Sequence, residues 1–257
     1  FLYVRQVVEV VFSFNQSRLM MDWQGLTLLW YRVLAHDRLM FDSLSNSLWV
    51  ALWATVISLL VGVPAGIGLS ASSIRGGRAF QLLLILPLVI PEIILAVSFA
   101  SAYHFFQMRL SFVTVILTHV AFCLSYVTLL VRSRMSRLDP RLVEAARDLH
   151  ASERVVFIRV TLPQLIPALI ASALIVFTLS LDDYVITSFV AGVGNTTLPL
   201  HIYSLAKEGL TPEINAISTL LILTTLVIML VAHGIQRVVL SRRVAMTAFL
   251  LLISLLA

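Results

Sequence analysis

Four carboxylates interrupt stretches of this sequence that are otherwise almost entirely apolar: Glu9, Glu92, Asp182 and Asp183. A carboxylate inside a bilayer costs about 3 kcal/mol by insertion scales, so it usually faces a cavity or a solute pathway. No Lys or Arg occurs in the apolar stretches that hold Glu92 and the Asp pair. Unpaired acids of this kind favour a route for a cationic solute. Acids that bond to helix ends, or that stay neutral against a partner, would give the same pattern.

The depth of these acids along their stretches supports a route. Glu92 lies about 18 Å along its stretch, near mid-depth, and follows Pro91, which can break a helix and open its carbonyls to a cavity. Asp182 and Asp183 lie about 27 Å along theirs. Adjacent residues point about 100° apart on a helix, so we expect one of this pair to face the path. Tyr184 beside them can add a cation–π contact.

The composition indicates a membrane protein that is all-α. The chain has 257 residues, 60% of them hydrophobic and 12% charged, with a mean hydropathy of +0.99. Soluble domains are about 45–50% apolar and about 25% charged. A span needs roughly 20 apolar residues, and five stretches qualify, while a sixth at the start is short. We therefore predict a six-span helical bundle in one domain, residues 1–240, with spans near 1–14, 46–71, 80–106, 110–131, 164–191 and 214–236.

The basic residues predict the orientation. Twelve of them lie in the loop near residue 75, in the loop 132–163 and after the last span, whereas five lie on the opposite side. Cytoplasmic loops are enriched in Lys and Arg, so we expect both termini in the cytoplasm. The apolar tail 241–257 has no predicted role. Phe1 opens directly into an apolar run without a Met, and we expect the N-terminus to be incomplete.

The loop 132–163 reads as helix, turn, helix. Asp139 is an N-cap acceptor, and Pro140 suits the first helical position because its missing N–H is not needed there. A helix is predicted from Pro140 to Leu149. Ser152 can cap a second helix that ends near Leu162-Pro163.

The first loop helix carries candidate recognition residues. The two small side chains Ala145 and Ala146 leave a shallow surface that a partner's backbone can approach. Glu144 and Asp148 supply charge for recognition. A solvated loop helix without a partner would fit the same residues.

Motifs for enzymatic chemistry are missing from the sequence. It contains no G-x-x-x-x-G-K-[ST] loop, so we expect no cofactor on this chain and no ATP hydrolysis by the chain itself. H-E-x-x-H and G-x-S-x-G are also absent. The six histidines show no metal-ligand spacing, and Cys123 is the only cysteine. His119 lies four residues before Cys123, and we interpret that pair as packing.

A family resemblance sharpens this picture. Glu144-Ala145-Ala146, a turn, and then Leu162-Pro163 resemble the coupling-loop signature of bacterial ABC-importer permeases, E-A-A-x-x-x-G-x9-I-x-L-P. Further segments resemble the polyamine (spermidine/putrescine-type) permease subunits, and together they cover most of residues 1–240. These segments are 13–15 (SFN), 86–92 (LPLVIPE), 177–184 (FTLSLDDY), 187–192 (TSFVAG), 197–200 (TLPL) and 211–216 (TPEINA).

The resemblance implies the type I ABC importer permease architecture in a bacterial inner membrane. The first loop helix would then be a coupling helix that docks on a separate ATPase subunit. Implied partners are ATPase subunits, a second permease subunit in a hetero- or homodimer, a periplasmic solute-binding protein and membrane lipid, with no nucleic acid. The cargo implied is a polyamine, with Glu92, Asp182, Asp183 and Tyr184 as candidates for its path.

The sequence departs from the family pattern at His150 and Ser125, and Arg5 and Glu9 are also atypical of the family. His150 stands where the family has Gly, at a turn that usually requires a left-handed backbone. Histidine can adopt this conformation at a cost of about 1 kcal/mol, but its side chain would crowd the docking surface. Ser125 stands where the family often has Pro. The absence of this proline would straighten the fourth span.

Two other interpretations fit parts of the sequence, and a third lacks support. The same machine could carry ferric iron, sulfate, phosphonate or an opine-like solute. An ion-gradient-driven secondary transporter would use the membrane acids as proton or Na⁺ sites. A membrane-embedded enzyme would need a nucleophile beside a base, which the sequence does not indicate.

Overall fold

The computed structural model describes residues 2–17, 22–70, 76–208, 212–227, 230 and 234. Apart from one antiparallel bridge between Asn15 and Leu26, the regular structure of these residues is helical. Residues 1–220 form a compact unit. The helices are α1 (Leu2–Phe12), α2 (Leu29–His36), α3 (Arg38–Ser70), α4 (Gly77–Val89), α5 (Glu92–Phe105), α6 (Phe112–Met135), α7 (Pro140–Asp148), α8 (Glu153–Val156), α9 (Leu162–Asp182), α10 (Val185–Val190), α11 (Leu198–Glu208) and α12 (Pro212–Val227).

Within the described residues, three continuous helical runs are long and apolar enough to cross a bilayer: α3, α6 and the run Glu153–Asp182. α4 and α5 make a fourth if they count as one bent span. α1 has 11 residues, and the described part of α12, Pro212–Val227, is likewise shorter than a bilayer crossing needs. Most of 228–236, predicted as the end of the sixth span, and all of the tail 241–257 lie outside the described residues. The described part is a helical membrane bundle.

The predicted span 80–106 is not one straight helix. It breaks between α4 and α5 with a bend of 110°. Ile90 adopts an extended backbone with ψ 131°, which is the conformation that a following proline favours. Pro91 has no N–H to continue the ladder of α4. Glu92 therefore becomes the first residue of a new helix, α5.

Small residues hold α3 close to α6. A Cβ added at Gly62 would lie 2.8 Å from Val127 Cβ, and one at Gly66 would lie 2.8 Å from the Thr128 carbonyl oxygen. Such approaches leave no room for a methyl group, so these glycines let the two backbones pack closely, as small-residue spacing predicts in membrane helices. The buried side chains of Cys123 and Val127 lie in the same part of α6.

The predicted span 164–191 also ends early. α9 stops at Asp182, Asp183 is extended with φ −70° and ψ 120°, and the chain restarts as the short helix α10. α10 packs against α5 and α6, and its buried Ile186 and Val190 share a core with Val115 of α6. The second break in the bundle thus places an acid pair at a helix end.

Candidate functional site

The first loop helix is α7, Pro140–Asp148, and it begins as predicted. The Asp139 carboxylate accepts a hydrogen bond from the Arg141 N–H at 3.0 Å, and Pro140 occupies the first turn. This cap satisfies one of the free N–H groups at the helix start. All residues of α7 are exposed or half-exposed.

His150 adopts the left-handed conformation expected of the family glycine, with φ 61°. The His150 N–H donates to the Arg147 carbonyl at 2.8 Å, and the Ala151 N–H donates to the Ala146 carbonyl at 3.1 Å. This pair of bonds is a Schellman motif, which closes the helix end. The turn therefore survives the replacement of Gly by His, with the strain that a side chain brings to this conformation.

The second loop helix does not end at Leu162-Pro163 as predicted. α8 runs through a π-helical turn, Phe157–Thr161, directly into α9. A proline inside a helix removes one hydrogen bond and crowds the preceding turn, and the wider π turn accommodates this. The Gln164 side chain donates to the Val160 carbonyl at 2.9 Å. The loop helix and the fifth span are consequently one continuous helical run.

An exposed ion pair joins the two loop helices. Arg147 Nε donates to Glu153 Oε1 at 2.8 Å, and Arg147 Nη2 donates to Oε2 at 3.1 Å. The two parallel bonds fix the guanidinium against the carboxylate. These hydrogen bonds and the positive charge of Arg147 lower the pKa of Glu153. The pair braces the turn at His150.

The exposed face of α7 differs from the two-alanine surface expected from sequence. Leu142, Ala145 and Leu149 share a helix face, and Leu149 is 85% exposed. Ala146 is half-buried, and its carbonyl is engaged in the turn. Ala145 alone of the two alanines lies on the exposed face, between two leucines. The charged candidates Glu144 and Asp148 are exposed and four residues apart on α7.

Asp183 lies at the centre of a buried hydrogen-bond cluster. Its side chain is 7% exposed. Asp183 Oδ2 accepts from the Thr187 N–H and from the Thr187 hydroxyl, both at 2.8 Å, while Oδ1 accepts from the Ile186 N–H at 3.2 Å. Asp183 therefore caps the start of α10, where free N–H groups favour a carboxylate.

His119 of α6 completes the cluster, so this residue does more than pack, whereas Cys123 packs in a hydrophobic core as the sequence indicated. It is 2% exposed. Its Nε2 lies 3.1 Å from Asp183 Oδ2 and 3.1 Å from Thr187 Oγ1, and its Nδ1 lies 2.7 Å from Ser180 Oγ. Asp183 is consequently not an unpaired acid. The sequence held one indication of this cluster, the histidine itself, because a polar ring in an apolar span needs a hydrogen-bond partner.

The imidazole of His119 lies between the Ser180 hydroxyl and the Asp183 carboxylate. The amino-acid sequence did not indicate this grouping. Catalysis would require space for a substrate carbonyl about 3 Å from the hydroxyl and donors for its oxyanion. Ser180 is 5% exposed, within helix α9. The cluster joins α6 to the α9–α10 break.

Glu92 and Asp182 have more open surroundings. Glu92 is exposed at the start of α5, and α5 packs against α10, whose start is capped by Asp183. Asp182, the last residue of α9, is exposed, and the structure shows no ion pair to it from the described residues. The two neighbouring aspartates thus lie in different surroundings, one open and one buried. Both helix breaks contribute carboxylates to one region.

Tyr184 follows the acid pair and stacks on Tyr203 of α11. The ring centroids are 4.3 Å apart with an interplanar angle of 37°. Tyr103, another aromatic residue near the acids by sequence, is buried, and its hydroxyl lies 2.8 Å from Thr118 Oγ1. Of these three rings, Tyr184 and Tyr203 form the accessible pair.

Similarity to known proteins is extensive in sequence. Residues 40–245 match the family described as "Binding-protein-dependent transport system inner membrane component". The spermidine/putrescine transport system permease protein PotC of Haemophilus influenzae is 36% identical over 237 residues, 92% of either chain. The putrescine transport system permease protein PotI of Escherichia coli K12 is 38% identical over 229 residues, 86% of this chain and 82% of PotI.

Solved structures show the same fold at low sequence identity. A chain of a bacterial ABC transporter that imports alginate superposes with a TM-score of 0.69 at 16% identity, over 92% of this chain and 90% of that one. A chain of the MetNI methionine ABC transporter gives 0.66 at 18% identity, over 83% and 99%. The helical membrane bundle therefore has the ABC importer permease fold. By its sequence match and its fold, the chain belongs to the family of binding-protein-dependent transport system inner membrane components.

Proposed function

We propose that the cargo of this permease subunit is a polyamine of the spermidine/putrescine class. The observation that carries the proposal is that α5, which begins after the break at Pro91, packs against α10, which begins after the break at Asp183, so that both breaks contribute carboxylates to one region. In transporters of other folds, broken helices commonly form the solute site, with C-terminal carbonyls facing cations. The relatives named for spermidine and putrescine transport support the same class of solute.

The roles of the acids follow from their surroundings. Asp183 is held by His119 and by the start of α10, so it acts as a fixed negative centre. Glu92 and Asp182 are exposed and can meet the ammonium groups of a passing cargo. A polyamine has at least two ammonium groups separated by methylenes. Carboxylates spaced along a path can replace the hydration water of these ammonium groups, and Tyr184 can add a cation–π contact.

The α7 face defined by Leu142, Ala145 and Leu149 supports docking on a separate ATPase subunit. An exposed apolar stripe on a helix fits an apolar groove, with Glu144 and Asp148 available at its side. The Schellman turn and the Arg147–Glu153 pair connect α7 to a helical run that reaches Asp182. Motion of the docked helix would thus be passed to the acid region. In this proposal ATP is bound and used by the partner, and this chain needs no cofactor.

The arrangement in the membrane follows from charge. The basic loop 132–163 lies in the cytoplasm, and both termini lie on that side. The segment after the fifth span, residues 192–213, then faces a periplasmic solute-binding protein. A second permease subunit, identical or different, completes the path across the lipid.

The cargo is tested by uptake. The chain is expressed with the ATPase, permease and binding-protein subunits of its own system in cells without polyamine uptake, and radiolabelled putrescine and spermidine are supplied. Glu92→Gln should reduce uptake at least tenfold, or about 1.4 kcal/mol of binding. Assembly should be unchanged, and Asp42→Asn, an exposed acid on α3, should have no effect.

The outcomes separate the alternatives. Normal uptake by Glu92→Gln removes this residue from the path. The assignment of a polyamine cargo is overturned if the complex takes up ferric iron, sulfate, phosphonate or an opine and polyamines do not inhibit that uptake. Transport driven by an ion gradient without any ATPase overturns the coupling.

The docking face is tested separately. Leu149→Asp places a charge at the most exposed apolar side chain of the proposed contact and should abolish co-purification with the ATPase and cargo-stimulated ATP hydrolysis. Leu149→Met keeps an apolar side chain of similar volume and should retain both. Equal co-purification of the two variants contradicts docking through this face.

A further inference from the structure

Lys207 has an unusual place in this chain. It is the only lysine among the 18 Lys and Arg residues of the sequence. It is exposed on α11, and its Nζ lies 4.8 Å from the centroid of the Tyr203 ring, four residues earlier. Among the described residues, no carboxylate forms an ion pair with it. The aromatic ring is therefore the contact that the structure shows for this ammonium group.

The ring beneath Lys207 belongs to a fixed platform. Tyr203 stacks on Tyr184 at 4.3 Å, and Tyr184 directly follows the acid pair at the end of α9. α11 is anchored to α3, because the Leu198 N–H donates to Ser47 Oγ at 2.8 Å. Tyr203 is 42% exposed. One face of the platform is thus accessible to an ammonium group, at the end of the fifth span opposite the α7 loop.

The chemistry of Lys207 matches that of the proposed cargo. A lysine side chain consists of four methylenes and an ammonium group, which is also one end of putrescine. A ring that holds the first can hold the second by the same cation–π attraction. An exposed cation–π contact is weak, so one ammonium can exchange for another.

We infer that the Tyr184–Tyr203 pair is an ammonium subsite at the entrance of the path, and that Lys207 occupies it until the cargo displaces it. The inference rests on the proposed polyamine cargo. Lys207 then acts as a tethered competitor: it shields the platform when no cargo is present and releases it to a solute with a second ammonium group. The second ammonium group of the cargo can reach the nearby acids. Lys207 has only one ammonium group and cannot neutralise those acids while that group lies on the ring.

The single lysine makes a direct test available. Reductive methylation with ¹³C-formaldehyde labels the Lys207 amine and the N-terminal amine while preserving their charge. The labelled full chain is then assembled with its unlabelled partner subunits in lipid nanodiscs. Methyl groups over an aromatic ring resonate upfield, and Tyr203→Leu shows which signal owes its position to this ring.

Putrescine is titrated as the probe, and 1,4-butanediol with matched NaCl serves as the control. Putrescine should move the upfield methyl signal to its position in Tyr203→Leu, and the control should leave it in place. The inference is overturned if the wild-type signal shows no upfield shift or if the control moves it equally. It is also overturned if putrescine fails to move the signal while the same labelled complex, reconstituted in sealed proteoliposomes, imports radiolabelled putrescine. Absence of polyamine import would instead overturn the proposed function, and the inference with it.

Discussion

Replacement of His119 by Leu should destabilise the protein strongly. The imidazole contacts Ser180 Oγ at 2.7 Å, and Asp183 Oδ2 and Thr187 Oγ1 at 3.1 Å each. Leucine leaves the buried Ser180 hydroxyl without this partner, which costs about 1–3 kcal/mol. It also removes a hydrogen bond to a carboxylate, worth about 1.5–3 kcal/mol. Asp183 keeps its bonds from the start of α10, so the expected total is about 3–5 kcal/mol, the range for breaking a buried pair.

The measurement is equilibrium unfolding of the purified chain by SDS in mixed micelles, followed by tryptophan fluorescence. His104→Leu is the matched control, because His104 is exposed near the end of α5 and surface changes usually alter stability by about 0.5 kcal/mol or less. His119→Gln, whose amide can still donate to Asp183, should fall between the two. A loss for His119→Leu no greater than that for His104→Leu would refute the role assigned to the cluster.

Three further predictions concern packing, the turn and pH. Gly66→Ala should lose about 1–3 kcal/mol of unfolding free energy from overpacking in the same SDS titration, and Leu60→Ala, on the exposed face of α3, should lose less. His150→Gly should gain about 1 kcal/mol, because glycine adopts a positive φ without strain; a loss would contradict the left-handed turn. Limited proteolysis should show the loop protected above the usual glutamate pKa of about 4.3. Protection should be lost as pH falls through the lowered pKa of Glu153, because protonation removes the partner of Arg147. Glu153→Gln should lack this acid transition.

The sequence determined the features that depend on local chemistry. The length and apolarity of the stretches gave three of the helical spans, since a bilayer imposes both on any crossing helix. Asp139 and Pro140 predicted the start of α7 because a cap and a ring-locked φ act on their own neighbours. The left-handed turn at His150 was equally local, and the family resemblance marked its position. Only the hydrogen-bond partners within this turn had to be taken from the structure.

The tertiary structure decided the pairing of distant side chains. His119 and Asp183 are 64 positions apart, and no periodicity connects them, because the contact depends on how α6 packs against α9. The same packing determines that Asp183 is buried while Asp182 is open, and that Tyr184 stacks on Tyr203. Lys207 lies one helical turn from Tyr203, so that contact could be anticipated. Its position at an aromatic pair beside the acids could not, since side chains from different helices meet only after the bundle has formed.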